Sequence, residues 1–172
     1  MNQQTSEPHA IQRPPLPPYD SVGRPLSGPP AFIRPGACAA VFNAHGDILL
    51  QQRSDNGFWG MPGGAIDPGE SVTHGVIREV WEETGLHVRV VRLVGVYSDP
   101  HNYMITQYPD GNIVHSVSLC FVCDYVSGTL QLSEESTELG YFPVHALPEP
   151  MMPSHRLRLQ DVLAQQGEAF IR

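Results

Sequence analysis

The sequence predicts an α/β fold in which a mixed sheet is packed between helices. Three observations predict it. Short apolar, β-branched runs dominate from Ala37 onward; one amphipathic helix with cap residues at both ends interrupts them near the middle; and a second stretch with helical apolar spacing follows the last strand. At 172 residues, 41% of them hydrophobic, the chain supports one core-bearing domain and leaves too little for a second.

The first 30 residues hold eight of the 17 prolines, so neither helix nor central strand is expected there. They read as an extended, polyproline-leaning arm, and residues 31–172 as the domain. Pro14–Pro17 and Pro15–Pro18 have the P-x-x-P spacing of a docking ligand; the plainer reading is an arm lying on its own domain or on a partner subunit. From Ala37, "ACAAVFN" and "DILLQQR" flank "AHG" and read as a hairpin whose glycine supplies the turn. A helix runs from the N-cap Ser71 to Thr84, with Gly85 as its C-terminal glycine. "HVRVVRLVGVYS" is a strand, "YMITQY" and "NIVHSVSLCFVCDYV" are two more joined around "PDG", and "TELGYFPV" is another. In the last helix the apolar stripe is Leu157, Leu159, Val162 and Leu163.

A formal net charge of −8 and the absence of a basic run exclude a nucleic-acid polymer or an anionic membrane surface as the expected partner. No apolar stretch is long enough to span a bilayer and no signal peptide is visible, so a cytoplasmic setting is expected. The three cysteines do not form a disulfide framework; Cys120 and Cys123, three apart on a strand, point to opposite faces.

On the central helix Val72, Val76, Ile77, Val80 and Trp81 form an apolar arc, while Glu79, Glu82 and Glu83 crowd a neighbouring one. Such a triplet is either a solvated acidic face or a set of ligands. The upstream loop "FWGMPGGAIDPGE" is dense in glycine and proline, a composition that suits close backbone approach or carbonyl presentation. Oxygen-only donors of this kind suit a hard divalent cation such as magnesium, with manganese as a substitute, rather than zinc.

Gly64, five residues, Glu70, seven residues, then "REVWEETGL" from Arg78 to Leu86 resembles an unbroken Nudix box, G-x5-E-x7-R-E-U-x-E-E-x-G-U, with Val80 and Leu86 at the bulky apolar positions U. Weaker similarity extends from about Phe32 to Phe142. The resemblance implies an α/β/α sandwich and hydrolysis of a nucleoside diphosphate linked to another moiety. It implies that Glu79, Glu82 and Glu83, with the Gly63 carbonyl, hold the metal, and that Arg78 orients a carboxylate such as Glu70 or Glu82. Glu79 is the first candidate for the general base and Glu138 the second, with Glu134 and Glu135 close enough to compete. By the same resemblance Arg53 is expected to reach substrate phosphates, the plainer alternative being an ordinary strand-end arginine, and Phe58 and Trp59 to frame the site or simply to pack under the loop. Tyr103 is expected to stack a base, the plainer alternative being strand packing. Pro100 and Tyr103, fourteen and seventeen residues beyond Leu86, resemble cues for ADP-ribose and dinucleoside polyphosphate members respectively, so the substrate cues conflict. ADP-ribose or nucleotide-sugar substrates lead, followed by dinucleoside polyphosphates and oxidised nucleoside triphosphates; a homodimer is expected by family analogy.

Overall fold

Along Phe32–Val41 (β1) successive side chains enter two different cores: Ala37, Ala39 and Val41 join one, Cys38 and Ala40 the other. A strand apolar on both faces must be covered on both, and in the computed structural model, which describes residues 15–108 and 110–172, it is. Helix α1 (Val72–Thr84) lays Val76 and Val80 on the first face, and helix α2 (Pro153–Leu163) lays Leu159 and Val162 on the second.

The remaining strands are β2 (Ile48–Arg53), β3 (Trp59–Gly60), β4 (Gly63–Ala65), β5 (Leu86–Tyr97), β6 (Ile105–Gln107), β7 (Ile113–Gly128), β8 (Ser136–Phe142) and β9 (Phe170–Ile171). The main sheet runs β4-β1-β7-β5-β9 with β6 also on β7; β1 is parallel to β7 and β9 to β5, the other pairings being antiparallel. The expected mixed sheet between helices is present. A second, three-stranded sheet, β3-β2-β8, stands beside it.

That second sheet corrects the expected hairpin. Gly46, at φ 82°, does make the turn, but among the described residues the ladder between the two segments is limited to the Phe42–Ile48 bridge, after which β1 and β2 pack through shared cores in separate sheets. Both edges of β1 are already taken, by β4 and β7. Helix α1 keeps its expected bounds: the Ser71 hydroxyl accepts the His74 N–H, and Gly85, at φ 73°, closes the last turn on the Trp81 carbonyl. Trp81 departs from the apolar arc. It is 50% exposed and stacks on His87 instead of entering a core.

The predicted stripe of α2 is met in part: Leu159 and Val162 are buried and Leu157 packs against the same core, but Leu163 is exposed, and Ser154, Arg158 and Asp161 are buried beside them. Part of this face covers a polar cavity, and Asp161 is buried because Arg172 and the Tyr97 hydroxyl bond to it. Cys120 and Cys123 do enter opposite cores.

The described portion of the arm lies on its own domain. Asp20, buried, accepts the N–H groups of Val22 and Arg24 and the Arg24 side chain, which shapes a tight loop. The Ser21 N–H donates to Ile105 and the Arg24 guanidinium to the Gln107 carbonyl, which fastens the loop to β6. Pro14, one end of the first P-x-x-P spacing, lies outside the described residues. Among the described residues no helix is long and apolar enough to cross a membrane.

Candidate active site

Arg78 organises the acidic helix. Its guanidinium donates to Glu70 at 2.7 and 3.2 Å, to Glu79 at 2.9 Å, to Glu82 at 2.8 Å and to the Ala65 carbonyl at 3.1 Å. One cation therefore offsets three carboxylates and straps the glycine loop to α1. The Glu70 carboxyl is held at about 2 by the Arg78 bond, with the Asp67 N–H helping. Arg78 is raised above its ordinary value, chiefly by Glu70.

Glu83 stands apart from this network. It is 4% exposed and accepts the Gly63 N–H at 2.6 Å. Burial pushes its carboxyl up to about 7, although Gly63 and Gln51 oppose the change. Burial also raises Glu79, against Arg78, and the charges of Glu82 and Glu135 add to the rise. Strand β4 can pass this close only because it is glycine. A Cβ on Gly64 would lie 2.5 Å from Glu79 Oε2, and one on Gly63 would lie 2.2 Å from the Ala37 carbonyl oxygen.

Glu79, Glu83, Gly63 and Gly64 line one wall of a cavity of about 500 Å³. Arg24, Arg34 and Arg53 line it elsewhere, and Cys38, Met104, Met152, His155 and Arg158 line it toward α2. All ten basic residues of the chain are arginines, and four of them are here.

The sequence-predicted residues separate accordingly. Gly63, Glu79, Glu83, Arg53 and Tyr103 meet at the cavity; Glu82 stays on the outer side of Arg78, 47% exposed. Arg53 forks onto Asp55 at 2.9 and 2.8 Å. Tyr103 is left-handed at φ 65° and half exposed. Trp59 is 5% exposed and packs edge-on against Phe142 in the core, away from the lining. Glu138 is exposed on β8 opposite Gln52, also outside the lining, whereas Glu135 is part of it.

The lining residues that sequence reasoning missed are Arg24, Arg34, His155 and Arg158. Arg24 fell within the arm, and Arg158 sits between Leu157 and Leu159 in what read as an ordinary amphipathic stripe.

The donors fit a divalent cation in kind: oxygen-only, with the buried Glu83 and the half-buried Glu79 carboxylates disfavoured in their charged forms while no cation is near. Among the described residues no three acidic, histidine or cysteine side chains already converge on one point. Glu79 and Glu82 are turned to Arg78, so a cation would compete with that guanidinium for them.

Comparison with known proteins bears on the family and the fold. The model of the NUDIX domain matches residues 32–162. A MutT-like protein of Streptomyces ambofaciens is 32% identical over 149 residues, 87% of this chain and 88% of that protein. An ADP-ribose pyrophosphatase of Methanocaldococcus jannaschii is 35% identical over 122 residues, 69% of this chain and 68% of that one. The crystal structure of an ADP-ribose pyrophosphatase from Streptococcus suis superposes with a TM-score of 0.63 at 27% identity, covering 81% of this chain and 97% of that one. With its box complete, its sandwich formed and the domain match spanning most of its length, this chain belongs to the Nudix hydrolase family.

Proposed function

We propose that the protein is a magnesium-dependent pyrophosphohydrolase that cleaves a nucleoside diphosphate linked to another moiety, a linkage of the ADP-ribose or nucleotide-sugar type. One observation carries the reading: a single cavity is lined by the buried Glu83 and half-buried Glu79 carboxylates on one wall and by arginines elsewhere. A pyrophosphate needs both, because its oxygens repel an incoming nucleophile until positive charge offsets them. The names of the Methanocaldococcus and Streptococcus relatives support the linkage class.

In this reading Glu79, Glu82 and Glu83, with Gly63, hold the cation. When bound, it neutralises pyrophosphate oxygens and acidifies the attacking water. Arg34 and Arg53 hold the remaining phosphate oxygens, Arg53 by exchanging Asp55 for substrate. Glu79 takes the water's proton. Its carboxyl is raised by burial, which makes it a better base at neutral pH, and Glu135 is the alternative acceptor on the same cavity. Glu138 is the weaker candidate, since it lies outside the lining. A homodimer, on the family resemblance, and a cytoplasmic setting, on the sequence features given above, complete the reading, and light scattering checks the first.

The test is phosphate release from a panel of ADP-ribose, diadenosine polyphosphates, nucleotide sugars and oxidised nucleoside triphosphates, coupled to a phosphatase. It is run with magnesium or EDTA, for wild type and Glu82→Gln. Magnesium-dependent turnover of a nucleotide sugar or ADP-ribose that the substitution reduces at least ~100-fold is expected. Turnover confined to the triphosphates overturns the linkage class, and no turnover anywhere overturns the hydrolase reading for this panel.

A further inference from the structure

Among the described residues Arg158 is a buried cation without an oxygen partner. It is 5% exposed, and its side chain forms no salt bridge with them. Of these residues its two terminal nitrogens meet only sulfur, Cys38 Sγ at 3.6 Å and Met104 Sδ at 3.4 Å, and none offers its Nε–H an acceptor. The guanidinium lies over the Tyr97 ring at 5.3 Å. The Met104 thioether is a weak acceptor and the Nε–H is unmet, so much of this fork's bonding capacity is unused while its desolvation cost remains, although Cys38, drawn down to about 7 by its hydrogen bond with Cys120 and by Arg158, offsets part of the charge.

His155 lines the same part of the cavity. Its Nδ1 accepts the Met61 N–H at 2.9 Å. Burial, with Arg158 and Arg53 nearby, pushes it well below the usual histidine range, so the ring is neutral and its proton sits on Nε2. Ser154, also in the lining, is free to donate or accept. The end of the cavity beneath α2 is thus rich in donors, walled by the thiol and thioethers of Cys38, Met104 and Met152, and poor in acceptors.

We propose that Arg158, with His155, is the specificity-determining pair that receives the carbonyl edge of a 6-oxopurine, so that the preferred nucleoside diphosphate derivative carries hypoxanthine or guanine rather than adenine. A phosphate is the poorer occupant. It would have to shed its hydration among sulfur atoms, although Arg24 and Arg53, both partly exposed, are available on the same cavity. A planar ring suits soft walls, and the exocyclic O6 beside N7 offers the paired acceptors that a guanidinium fork takes. The 6-amino group of adenine would set a donor against donors, leaving N7 as the one acceptor on that edge and half of the Arg158 fork unpaired. The proposal rests on the hydrolase reading for the linkage and adds the base.

The test measures binding without turnover, so it stands apart from that reading. Calorimetry in EDTA compares IDP, GDP and ADP on the full chain for wild type, Arg158→Met and Arg158→Lys, with thermal melting of each. Wild type is expected to bind IDP and GDP roughly 10- to 100-fold more tightly than ADP. Arg158→Met is expected to bring the three within about threefold while melting no lower than wild type, because methionine removes an unpaired charge and suits the sulfur-lined site. Arg158→Lys is expected to retain part of the preference. IDP separates the 6-oxo group from the 2-amino group of guanine. Equal or tighter binding of ADP by wild type overturns the proposal, as does failure to bind any of the three. Loss of affinity for all bases alike in a variant that melts lower makes Arg158 a packing residue and overturns it too. If Arg158→Met does not fold, the wild-type ratio and the lysine variant decide.

Discussion

Replacing Glu83 by glutamine tests whether the acidic helix gives up stability in order to hold a cation. Without metal the Glu83 carboxyl is raised from 4.5 to about 7 by burial, although the Gly63 N–H and Gln51 pull against the rise. The raised value fixes the sign. Below roughly pH 4.3 folded and unfolded chains both carry the proton, and the residue has no pH-dependent effect. As pH rises from there toward about 7, the unfolded chain ionises first, so the folded state loses stability with each step. Above that window the penalty is complete, at roughly 3 kcal/mol for 1.36 kcal/mol per pH unit. Glutamine never ionises and keeps an oxygen for the Gly63 N–H, but it brings N–H groups that need acceptors, leaving a net gain of about 1–3 kcal/mol. Urea unfolding in EDTA is the assay. The difference between the two proteins is expected to move in favour of Glu83→Gln by roughly 3 kcal/mol between about pH 4.5 and about pH 8, ending at that net gain. Millimolar magnesium is expected to stabilise wild type by mass action and to leave the variant nearly unmoved. A difference that does not change with pH, or a variant that loses stability relative to wild type as pH rises, refutes the reasoning.

Arg78→Gln removes the one cation shared by Glu70, Glu79 and Glu82, and kcat/KM is expected to fall at least ~100-fold in steady-state assays with saturating magnesium. Gly64→Ala would place a methyl group 2.5 Å from Glu79 Oε2, so a folded protein by circular dichroism with kcat down roughly tenfold or more is expected. Between the two late carboxylates, Glu135→Gln is expected to lower kcat more than Glu138→Gln, because only Glu135 lines the cavity; the reverse ranking would restore Glu138 as base candidate. Asp20→Ala removes the acceptor that shapes the arm loop and is expected to cost about 1–3 kcal/mol in urea unfolding, with a higher KM because Ser21, Val22 and Arg24 line the cavity.

The carboxylate helix was legible because everything that defines it is local. Ser71, Gly85 and the i, i+3, i+4 glutamates obey helix geometry whatever surrounds them. The hairpin error arose because two apolar strands around a turn say that the chain reverses there, not which neighbours each strand takes. β1 found its partners in β4 and in β7, the latter some eighty residues away. Arg158 was illegible for a related reason. Helical spacing marks the stripe that faces inward, but whether the inside is oil or a cavity depends on β1 and β6, which bring Cys38 and Met104 beneath α2. Trp81 fits the same account: periodicity placed it on the arc, and the end of the sheet left it beside His87.

An acidic chain that takes an anionic substrate has to solve a problem of sign, and the distribution of charge shows how it is solved here. The net charge of −8 is a long-range quantity, screened within roughly 10 Å at 0.1 M salt, whereas binding is decided inside the cavity. There the balance is local. Arg53 is committed to the exposed Asp55, which a phosphate can replace, and Arg24 to the buried Asp20, so two of the four cavity arginines already hold carboxylates. Arg78 plays the corresponding part on the other wall, where it holds the glutamates that a cation would claim. The site is therefore built from exchangeable ion pairs rather than from bare charge. Such an arrangement keeps mutually repelling groups folded in the absence of ligand, and it makes the incoming cation and phosphate compete with protein groups instead of with water alone. Arg158 has no such partner, and the buried charge left over on this count is the one that the base must satisfy.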